Sequence, residues 1–398
     1  MNLTTKKFST WYFQWWRPVV LVVAIGVLAY VLFFHNLTHL TPGYSPREVA
    51  AYNSSNGFKP ILDNPLGAPY KLVVYAAMKL GHHDLLITRL AAASFAVAAS
   101  LLFFAIARAW FSYRAAFLVT ILFATSSGFL HVARFGSALI LQMSILLLVA
   151  AGIWWNSRKH STVISLVLLV VLATMLYVPG MVWFELLALF FSRKKLLSDL
   201  HQVSWKLRLA GIGLFLVILA PLIRACVLHS STLLSFAGLP ASFGSFSQTL
   251  DTIGGSLLSV AIHSNGSPDL WVGHVPLLNV IEIALFLLGT YVYLRREIWE
   301  RSLFLLGAIV LSLVLIGLGG PVSISSLVPL LYLVIGAGLY ELLQQWLHVF
   351  PRNPFARFAG IFLICALVLA SALYQYRAYF VAWPHNAATK QTFTIQRL

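Results

Sequence analysis

Runs of about 20 apolar residues recur along almost the whole length of the chain. Hydrophobic residues make up 60% of its 398 residues and charged residues only 10%. Soluble domains carry about 25% charged residues, so the composition excludes a soluble globular domain. Because a helix of roughly 20 apolar residues crosses the hydrocarbon layer, the sequence predicts an all-α polytopic membrane protein. The runs lie near 18–35, 85–107, 113–131, 136–156, 207–228, 275–294, 302–319, 322–344 and 356–376.

One further apolar run, 161–192, is too long for a single span. It is interrupted by Tyr177-Val178-Pro179-Gly180. Proline removes a backbone donor and glycine weakens a helix, so we predict two short spans in this run. The total is then about 11 transmembrane helices. A re-entrant pair at 161–192 remains an alternative.

Lysine and arginine are distributed unevenly between the segments that join these runs. The chain has 27 Lys and Arg against 11 Asp and Glu, a formal net charge of +16. With a cytoplasmic N-terminus, most of the basic residues fall in predicted cytoplasmic loops, whereas 229–275 contains none. This bias accounts for the charge. The sequence therefore predicts no nucleic-acid partner, and a multi-pass protein of the cell (plasma) membrane.

The same alternation of sides divides the chain into parts. We predict a single transmembrane domain, 1–398, with its active side facing the extracellular space or periplasm. The stretch PYKLVVYAAMKLG (69–81) is predicted to form an interfacial helix within the first outer loop. The other parts are a cytoplasmic N-terminus (1–17), the first outer loop (36–84), a second large outer loop (229–275) and a short outer tail (377–398).

Charged residues near the predicted outer surface are the first candidates for chemistry. Glu48 and Asp63 lie in the first outer loop, and a carboxylate there could act as a general base. Arg89, Arg134 and Arg224 lie near the outer ends of spans, and guanidinium groups match phosphate oxygens bidentately. We predict Glu48 and Asp63 as catalytic residues and the three arginines as phosphate or donor ligands. Contact with lipid headgroups is the alternative for the arginines.

A second set of candidate residues has weaker support from the sequence. Glu282 falls within a span, where a charge is expensive and by default indicates function. Pairing with a neighbouring helix is its alternative. Further candidates in the same predicted outer region are Arg47, Tyr52, Lys71 and His131.

No metal site is predicted. His263, Asp269 and His274 share one loop, but their spacing matches no compact metal-binding motif. They are expected to be surface residues, and the cofactor requirement, including any divalent cation, stays open.

Five stretches together resemble the polytopic GT-C glycosyltransferases, in particular their protein mannosyltransferase and aminoarabinose transferase branch. The resemblance is best over roughly the first 160 residues. The stretches are GYSPREVAAY (43–52), NPLGAPYKLVVYAAMKLG (64–81), LLITRLAAASFAVAASLLFFAIAR (85–108), SSGFLHVARFGSALILQ (126–142) and, more weakly, VGHVPLLNVIEIALFLLG (272–289).

The resemblance implies an enzyme that transfers a sugar from a polyprenyl-phosphate donor in the outer leaflet to a glycan, lipid or protein acceptor. In that family the first outer loop carries an Asp-Glu pair whose aspartate acts as base or positions the acceptor. Here Arg47 stands at the first position and Glu48 at the second. An acid common after the arginine that opens the fourth span is also absent, because Phe-Gly-Ser-Ala-Leu follows Arg134.

Three functions remain open at this stage. The first is a glycosyltransferase, in which Glu48 or Asp63 deprotonates the acceptor hydroxyl while Arg89 and Arg134 stabilise the departing phosphate. The second is a catalytically silent homologue that binds a lipid phosphate or a partner protein. The third is a transporter of a lipid-linked substrate, although such proteins usually show paired repeats and none is evident. The donor sugar, the acceptor and the oligomeric state are not determined by the sequence.

Overall fold

The protein is almost entirely helical. The computed structural model describes residues 20, 23–156, 162–202, 204–263, 267–295 and 299–395, so the N-terminal segment 1–17 lies outside the described residues. Within them the only β-type pairing is an antiparallel bridge between Tyr44 and Ile395. The first ten helices are α1 (Val23–Phe34), α2 (Pro46–Ser55), α3 (Phe58–Asp63), α4 (Ala68–Lys79), α5 (Leu86–Trp110), α6 (Tyr113–Thr125), α7 (Ser127–Arg134), α8 (Ile145–Asn156), α9 (Thr162–Met175) and α10 (Met181–Gln202). The others are α11 (Trp205–Leu228), α12 (Ser230–Phe236), α13 (Phe246–Ala261), α14 (Val280–Arg295), α15 (Trp299–Gly317), α16 (Leu327–Val349), α17 (Pro354–Arg377), α18 (Trp383–His385) and α19 (Ala387–Thr392).

Several helices are long and apolar enough to cross a membrane. Among the described residues five meet that requirement, and a sixth span results if the bent pair α6 and α7 counts as one. The five are Leu86–Trp110, Ala138–Trp155, Trp205–Leu228, Ile324–Val349 and Pro354–His385, and shorter apolar helices occur at Val23–Phe34, Ser165–Met175 and Arg301–Gly317. The prediction of an all-α multi-pass membrane protein is confirmed. The count of about 11 spans and the cytoplasmic N-terminus stay predictions.

Helix α16 forms the centre of the helical bundle. In its most apolar window 83% of the residues are buried, the highest fraction among the candidate spans. Helix α14 approaches it closely through Gly289 and Gly338: a Cβ on Gly289 would lie 2.0 Å from the carbonyl oxygen of Val334. Small residues allow helix backbones to approach in this way inside a membrane.

The pair α6 and α7 is bent by 60°. Ser126 joins the two helices with a backbone ψ of 136°, and its hydroxyl accepts a hydrogen bond from the Phe129 backbone N–H at 3.4 Å. A serine in this position satisfies a free donor at the start of a new helix. All eight residues of α7 are buried, so the bend turns a short polar-tipped helix into the protein interior.

The run 161–192 is interrupted where the sequence suggested. Helix α9 ends before Tyr177 and α10 begins after Gly180. Gly180 has a φ of +76°, and a Cβ there would lie 2.7 Å from a methyl group of Val322. A glycine is therefore required both by the backbone conformation and by the neighbouring side chain.

The three segments predicted to lie outside the membrane are structured. Segment 36–84 contains α2, α3 and α4, and α4 overlaps most of the stretch 69–81 that was predicted to form an interfacial helix. Segment 229–275 contains α12 and α13. The C-terminal segment beyond α17 folds back to the residues just before α2, where Ile395 exchanges backbone hydrogen bonds with Tyr44 at 2.8 and 3.2 Å. The division into these parts, and their side of the membrane, stay predictions.

Candidate functional site

Helix α2 begins with the sequence Ser45-Pro46-Arg47-Glu48. The Ser45 hydroxyl accepts a hydrogen bond from the Glu48 backbone N–H at 3.2 Å, and the Glu48 carboxylate accepts one from the Ser45 backbone N–H at 2.9 Å. This reciprocal pair is a capping box, and proline suits the first helical position. The acidic motif noted in the sequence is thus the start of a helix rather than a loop.

The Glu48 carboxylate is paired with Arg89, which lies in the first turns of α5. Arg89 Nε donates to Glu48 Oε1 at 2.7 Å, and Nη2 donates to Oε2 at 2.9 Å. Glu48 Oε1 also accepts from the Gly136 backbone N–H at 3.0 Å. Glu48 is fully buried and Arg89 is 4% exposed. The carboxylate has no unused lone pair, because two donors reach each of its oxygens.

Arg89 also orders the chain that precedes α2. Its Nη1 donates to the Leu37 carbonyl at 2.6 Å, and Nη2 donates to the Thr41 hydroxyl at 3.2 Å and the Gly43 carbonyl at 2.9 Å. The guanidinium lies 4.3 Å from the centre of the Tyr44 ring. Every guanidinium nitrogen therefore faces a protein acceptor, and its charge is balanced by Glu48.

Arg134, at the end of α7, lacks such a counter-ion. Its Nη1 donates to the Leu32 carbonyl at 3.0 Å and its Nη2 to the His35 carbonyl at 2.8 Å. No acceptor in the described part of the chain meets the criteria for a hydrogen bond with its Nε, and the side chain is buried against the ring of Phe380. Among the described residues, no carboxylate forms an ion pair with it. A buried cation held only by neutral oxygens attracts an anion.

Glu48, Arg89 and Arg134 line one small pocket. The volume open to a water-sized sphere is about 10 Å³, which is room for about one water molecule. One carboxylate and two guanidiniums give the pocket a net positive charge. The remaining lining residues are Leu37, Leu40, Thr41, Phe135, Tyr379, Trp383 and Phe393.

His131 lies beside this pocket, one turn before Arg134 on α7. Its ring is stacked on Phe135 with centroids 5.5 Å apart, and it meets the Trp383 ring edge to face at 5.1 Å. It is buried, and neither ring nitrogen has a hydrogen-bond partner within the described part of the chain. The structure thus brings four of the candidates, Glu48, Arg89, His131 and Arg134, into one neighbourhood.

The structure places Asp63, Lys71 and Arg224 elsewhere. They lie on α3, α4 and α11, which surround a second apolar cluster that includes Ile61 and Leu222. Asp63 and Arg224 are exposed, and none of the three lines the pocket. Their catalytic and phosphate-binding roles remain untested predictions, but they do not share a site with Glu48.

Lys71 is buried in this second region. Its Nζ donates to the backbone carbonyl of Asn64 at 2.7 Å, and the residue is 6% exposed. Burial disfavours the charged form and lowers the pKa of Lys71 from 10.5 to about 8.

The other candidates have defined partners. Tyr52 donates its hydroxyl proton to the His83 carbonyl at 2.9 Å, which ties α2 to the turn before α5. Arg47 forms an ion pair with Asp269, with Nε and Oδ2 2.5 Å apart. Glu282 is fully buried far along the chain and accepts hydrogen bonds from Tyr332 at 2.8 Å and Gln375 at 2.7 Å. It is held by neutral donors on neighbouring helices.

Two contributions to the site were missed by sequence reasoning. One is the capping box, which the Ser-x-x-Glu spacing at 45–48 predicts. The other is the C-terminal segment, whose Trp383 and Phe393 close the pocket. Nothing local in the sequence indicates that contact, which joins residues some 350 positions apart, as between Tyr44 and Ile395.

In the described part of the chain, no group of three or more His, Cys, Asp or Glu residues is placed to hold a metal ion. A scan against protein-family models finds no match, and a search of curated proteins finds none either.

Solved structures do match. The crystal structure of ArnT from Cupriavidus metallidurans bound to undecaprenyl phosphate has a TM-score of 0.54 and 14% sequence identity, over 93% of this chain and 76% of that one. ArnT is a GT-C aminoarabinose transferase. The chain has a GT-C-like fold. The apo structure of the same ArnT gives a TM-score of 0.54 at 15% identity, over 94% of this chain and 77% of that one. The family resemblance seen in the sequence is confirmed at the level of the fold.

Proposed function

We propose that the chain is a membrane glycosyltransferase that moves a sugar from a polyprenyl-phosphate donor to an acceptor at the non-cytoplasmic face. The observation that carries the proposal is Arg134, a buried guanidinium that lines the pocket and has no counter-ion among the described residues. Arg89 beside it is already neutralised by Glu48. One positive charge is therefore left for a ligand, and phosphate oxygens match a guanidinium group.

The chemistry of sugar transfer fits this charge. When the bond between the anomeric carbon and the phosphate oxygen breaks, negative charge develops on the leaving phosphate. A fixed guanidinium next to that oxygen lowers the barrier in a water-poor site. The ArnT structure in complex with undecaprenyl phosphate supports a polyprenyl phosphate as the class of donor. The distribution of Lys and Arg in the sequence supports the non-cytoplasmic side.

The small volume of the pocket adds a condition. In the described conformation it admits about one water molecule, and Trp383 and Phe393 form part of its wall. A phosphate group is larger than water. Part of the pocket wall must therefore move before a phosphate reaches Arg134.

The test is binding and transfer with purified protein in lipid nanodiscs. Undecaprenyl phosphate binding is measured for wild type, Arg134→Gln, and Arg224→Gln as a matched control outside the pocket. A lost charge-assisted hydrogen bond is worth about 1.5–3 kcal/mol, so Arg134→Gln should weaken binding by about 10- to 100-fold. Arg134→Lys keeps the charge and should retain part of the affinity. Equal binding by Arg134→Gln and Arg224→Gln would refute the site.

The transfer assay supplies undecaprenyl phosphate carrying radiolabelled mannose or aminoarabinose. Peptides, glycolipids and water are offered as acceptors, and release of label from the lipid is followed. The proposed function requires turnover by wild type. Binding of undecaprenyl phosphate without any release of label would instead establish the second candidate, a catalytically silent GT-C homologue.

That second candidate is favoured by one specific observation. All four lone pairs of Glu48 are occupied by donors from Ser45, Arg89 and Gly136. A carboxylate in that state has no lone pair left for the hydroxyl of an acceptor. If Glu48 were the only acid near the pocket, the site would bind a phosphate without catalysing transfer.

A further inference from the structure

A second carboxylate reaches the region of α2 from a distant part of the sequence. Asp269, in segment 229–275, places Oδ2 2.5 Å from Nε of Arg47. The Ser267 hydroxyl donates to its other oxygen, Oδ1. The Asp269 side chain is 11% exposed and that of Arg47 is 53% exposed. Asp269 therefore lies just below the surface, next to the residue that immediately precedes Glu48.

The lone pairs of Asp269 distinguish it from Glu48. An ionised carboxylate offers about four acceptor positions, and Glu48 has donors on all of them. Within the described residues, Asp269 has one donor on each oxygen, from Arg47 and Ser267. About half of its accepting capacity is therefore available to a substrate hydroxyl.

The other acids of the two segments are less suitable. Neither Asp63 nor Asp269 is among the residues that line the pocket, but Asp63 is exposed whereas Asp269 is buried. Asp84 is exposed and accepts a hydrogen bond from the Leu86 backbone N–H at 3.2 Å. Asp251 is exposed on α13. Of the five acids in segments 36–84 and 229–275, only Glu48 and Asp269 are buried.

The loop that carries Asp269 also contacts the other elements around the pocket. A Cβ on Gly273 would lie 3.0 Å from the side-chain amide of Asn386 in the C-terminal segment. The loop also reaches α7, since a Cβ on Gly128 would lie 2.4 Å from a methyl group of Leu277, shortly after the loop. The loop therefore borders α2, α7 and the C-terminal segment, and these three elements supply Glu48, Arg134, Tyr379, Trp383 and Phe393 of the pocket lining.

We propose that Asp269 is the general base of the transfer reaction, a role that rests on the glycosyltransferase function proposed above. Asp269 takes the proton of the acceptor hydroxyl while the acceptor oxygen bonds to the anomeric carbon of the donor sugar. The bond from that carbon to the phosphate oxygen breaks, and its electron pair leaves with the polyprenyl phosphate at Arg134. The proton passes from Asp269 to solvent after the product departs.

Arg47 has a positioning role in this arrangement. Its guanidinium holds Oδ2 of Asp269 and thereby fixes the orientation of the carboxylate. The ion pair joins α2 to segment 229–275, and therefore fixes the base relative to Glu48 and Arg89. The arginine found at the position of the first family acid thus holds an acid supplied from elsewhere in the chain.

The experiment measures release of radiolabelled sugar from undecaprenyl phosphate together with undecaprenyl phosphate binding. A general base contributes about 10²- to 10⁴-fold, so Asp269→Asn should lower kcat by that factor while binding stays at the wild-type level. Asp251→Asn, an exposed acid of the same segment, is the matched control and should leave both unchanged. Arg47→Gln breaks the same ion pair but keeps the carboxylate, and should lose less than about 10-fold.

A purely structural role for the ion pair predicts another pattern. Arg47→Gln and Asp269→Asn would then reduce transfer equally, and that result would overturn the proposal, as would wild-type turnover by Asp269→Asn. If Asp269→Asn also loses undecaprenyl phosphate binding, the transfer activities of Asp269→Glu and Asp269→Gln are compared instead. These two side chains have the same size and differ in charge. Equal transfer by these two would overturn the role of Asp269. An absence of turnover in wild type refutes the glycosyltransferase function itself, and the role of Asp269 with it.

Discussion

Replacement of Glu48 by alanine tests the reading of this residue as a structural element. Glu48 is fully buried and serves two purposes, since it completes the capping box of α2 and neutralises Arg89. Glu48→Ala leaves the Arg89 guanidinium with the carbonyls of Leu37 and Gly43 and the hydroxyl of Thr41. These neutral groups satisfy hydrogen bonds but do not balance the charge.

The expected cost follows from these contacts. Breaking a buried ion pair by removing one partner destabilises a protein by about 3–5 kcal/mol. The three remaining acceptors of Arg89 reduce the cost, and the lost half of the capping box adds about 0.5–1 kcal/mol. We therefore expect Glu48→Ala to lower the free energy of unfolding by about 3–5 kcal/mol. The double variant Glu48→Ala/Arg89→Ala should cost less than the sum of the single variants by at least about 1.5 kcal/mol.

The free energy of unfolding is measured in mixed dodecylmaltoside and SDS micelles by intrinsic tryptophan fluorescence. Asp63→Ala is the matched control, because Asp63 is an exposed acid in the same segment and should leave the transition unchanged. Strict additivity in the double variant, or a loss of less than about 1 kcal/mol for Glu48→Ala, would refute the reasoning. A stable Glu48→Ala that lacks only transferase activity would show instead that Glu48 is a catalytic residue.

Three other expectations follow from single features. Lys71 has a folded pKa of about 8 against 10.5 in the unfolded chain, so the unfolded chain binds more protons between these values. The free energy of unfolding of wild type should therefore rise relative to that of Lys71→Met by up to about 3 kcal/mol as the pH rises from 8 to 10.5. A constant difference between the two proteins across that pH range would contradict this. Gly338→Ala should clearly lower the midpoint of thermal unfolding, because its Cβ would lie 2.0 Å from a carbonyl oxygen of α14. Gly213→Ala is the control and should leave the midpoint unchanged, because no atom lies within 4 Å of a Cβ at that position. Glu282→Gln places an amide N–H group where the Tyr332 hydroxyl and other groups already donate hydrogen bonds. The variant should lower the free energy of unfolding by about 1–3 kcal/mol. An unchanged urea or SDS midpoint would argue against a tightly defined hydrogen-bond network around Glu282.

The membrane architecture could be predicted because its cause is local in the sequence. Each span needs a run of apolar residues, and such runs are visible without tertiary information. The interruption before Gly180 followed from the residue types alone, since proline and glycine disrupt a helix. The bend at Ser126 was not predicted, because the apolar run 113–131 continues through it. Its cause is the hydrogen bond from the Phe129 N–H to Ser126, a cap inside a hydrophobic stretch.

The candidate site was only partly predictable. Arg89 and Arg134 were identified because cations at that depth run against the general charge bias, and the structure places both in one pocket. Asp63 and Arg224 looked equivalent by sequence position, but they lie around a different apolar cluster. Asp269 was expected to be a surface residue. Its burial depends on a tertiary contact with Arg47 that no local pattern encodes.

The order in which the residues of the site occur along the chain has a consequence for biogenesis. A membrane protein emerges from its N-terminus first, and Glu48 precedes Arg89 by 41 residues. The carbonyl acceptors of Arg134 precede it by 102 and 99 residues. Each buried cation thus enters the membrane when its partners have already been made. A nascent chain arrested after α8 would carry the complete charged cluster, whereas Trp383 and Phe393, which close the pocket, are synthesised only after α17.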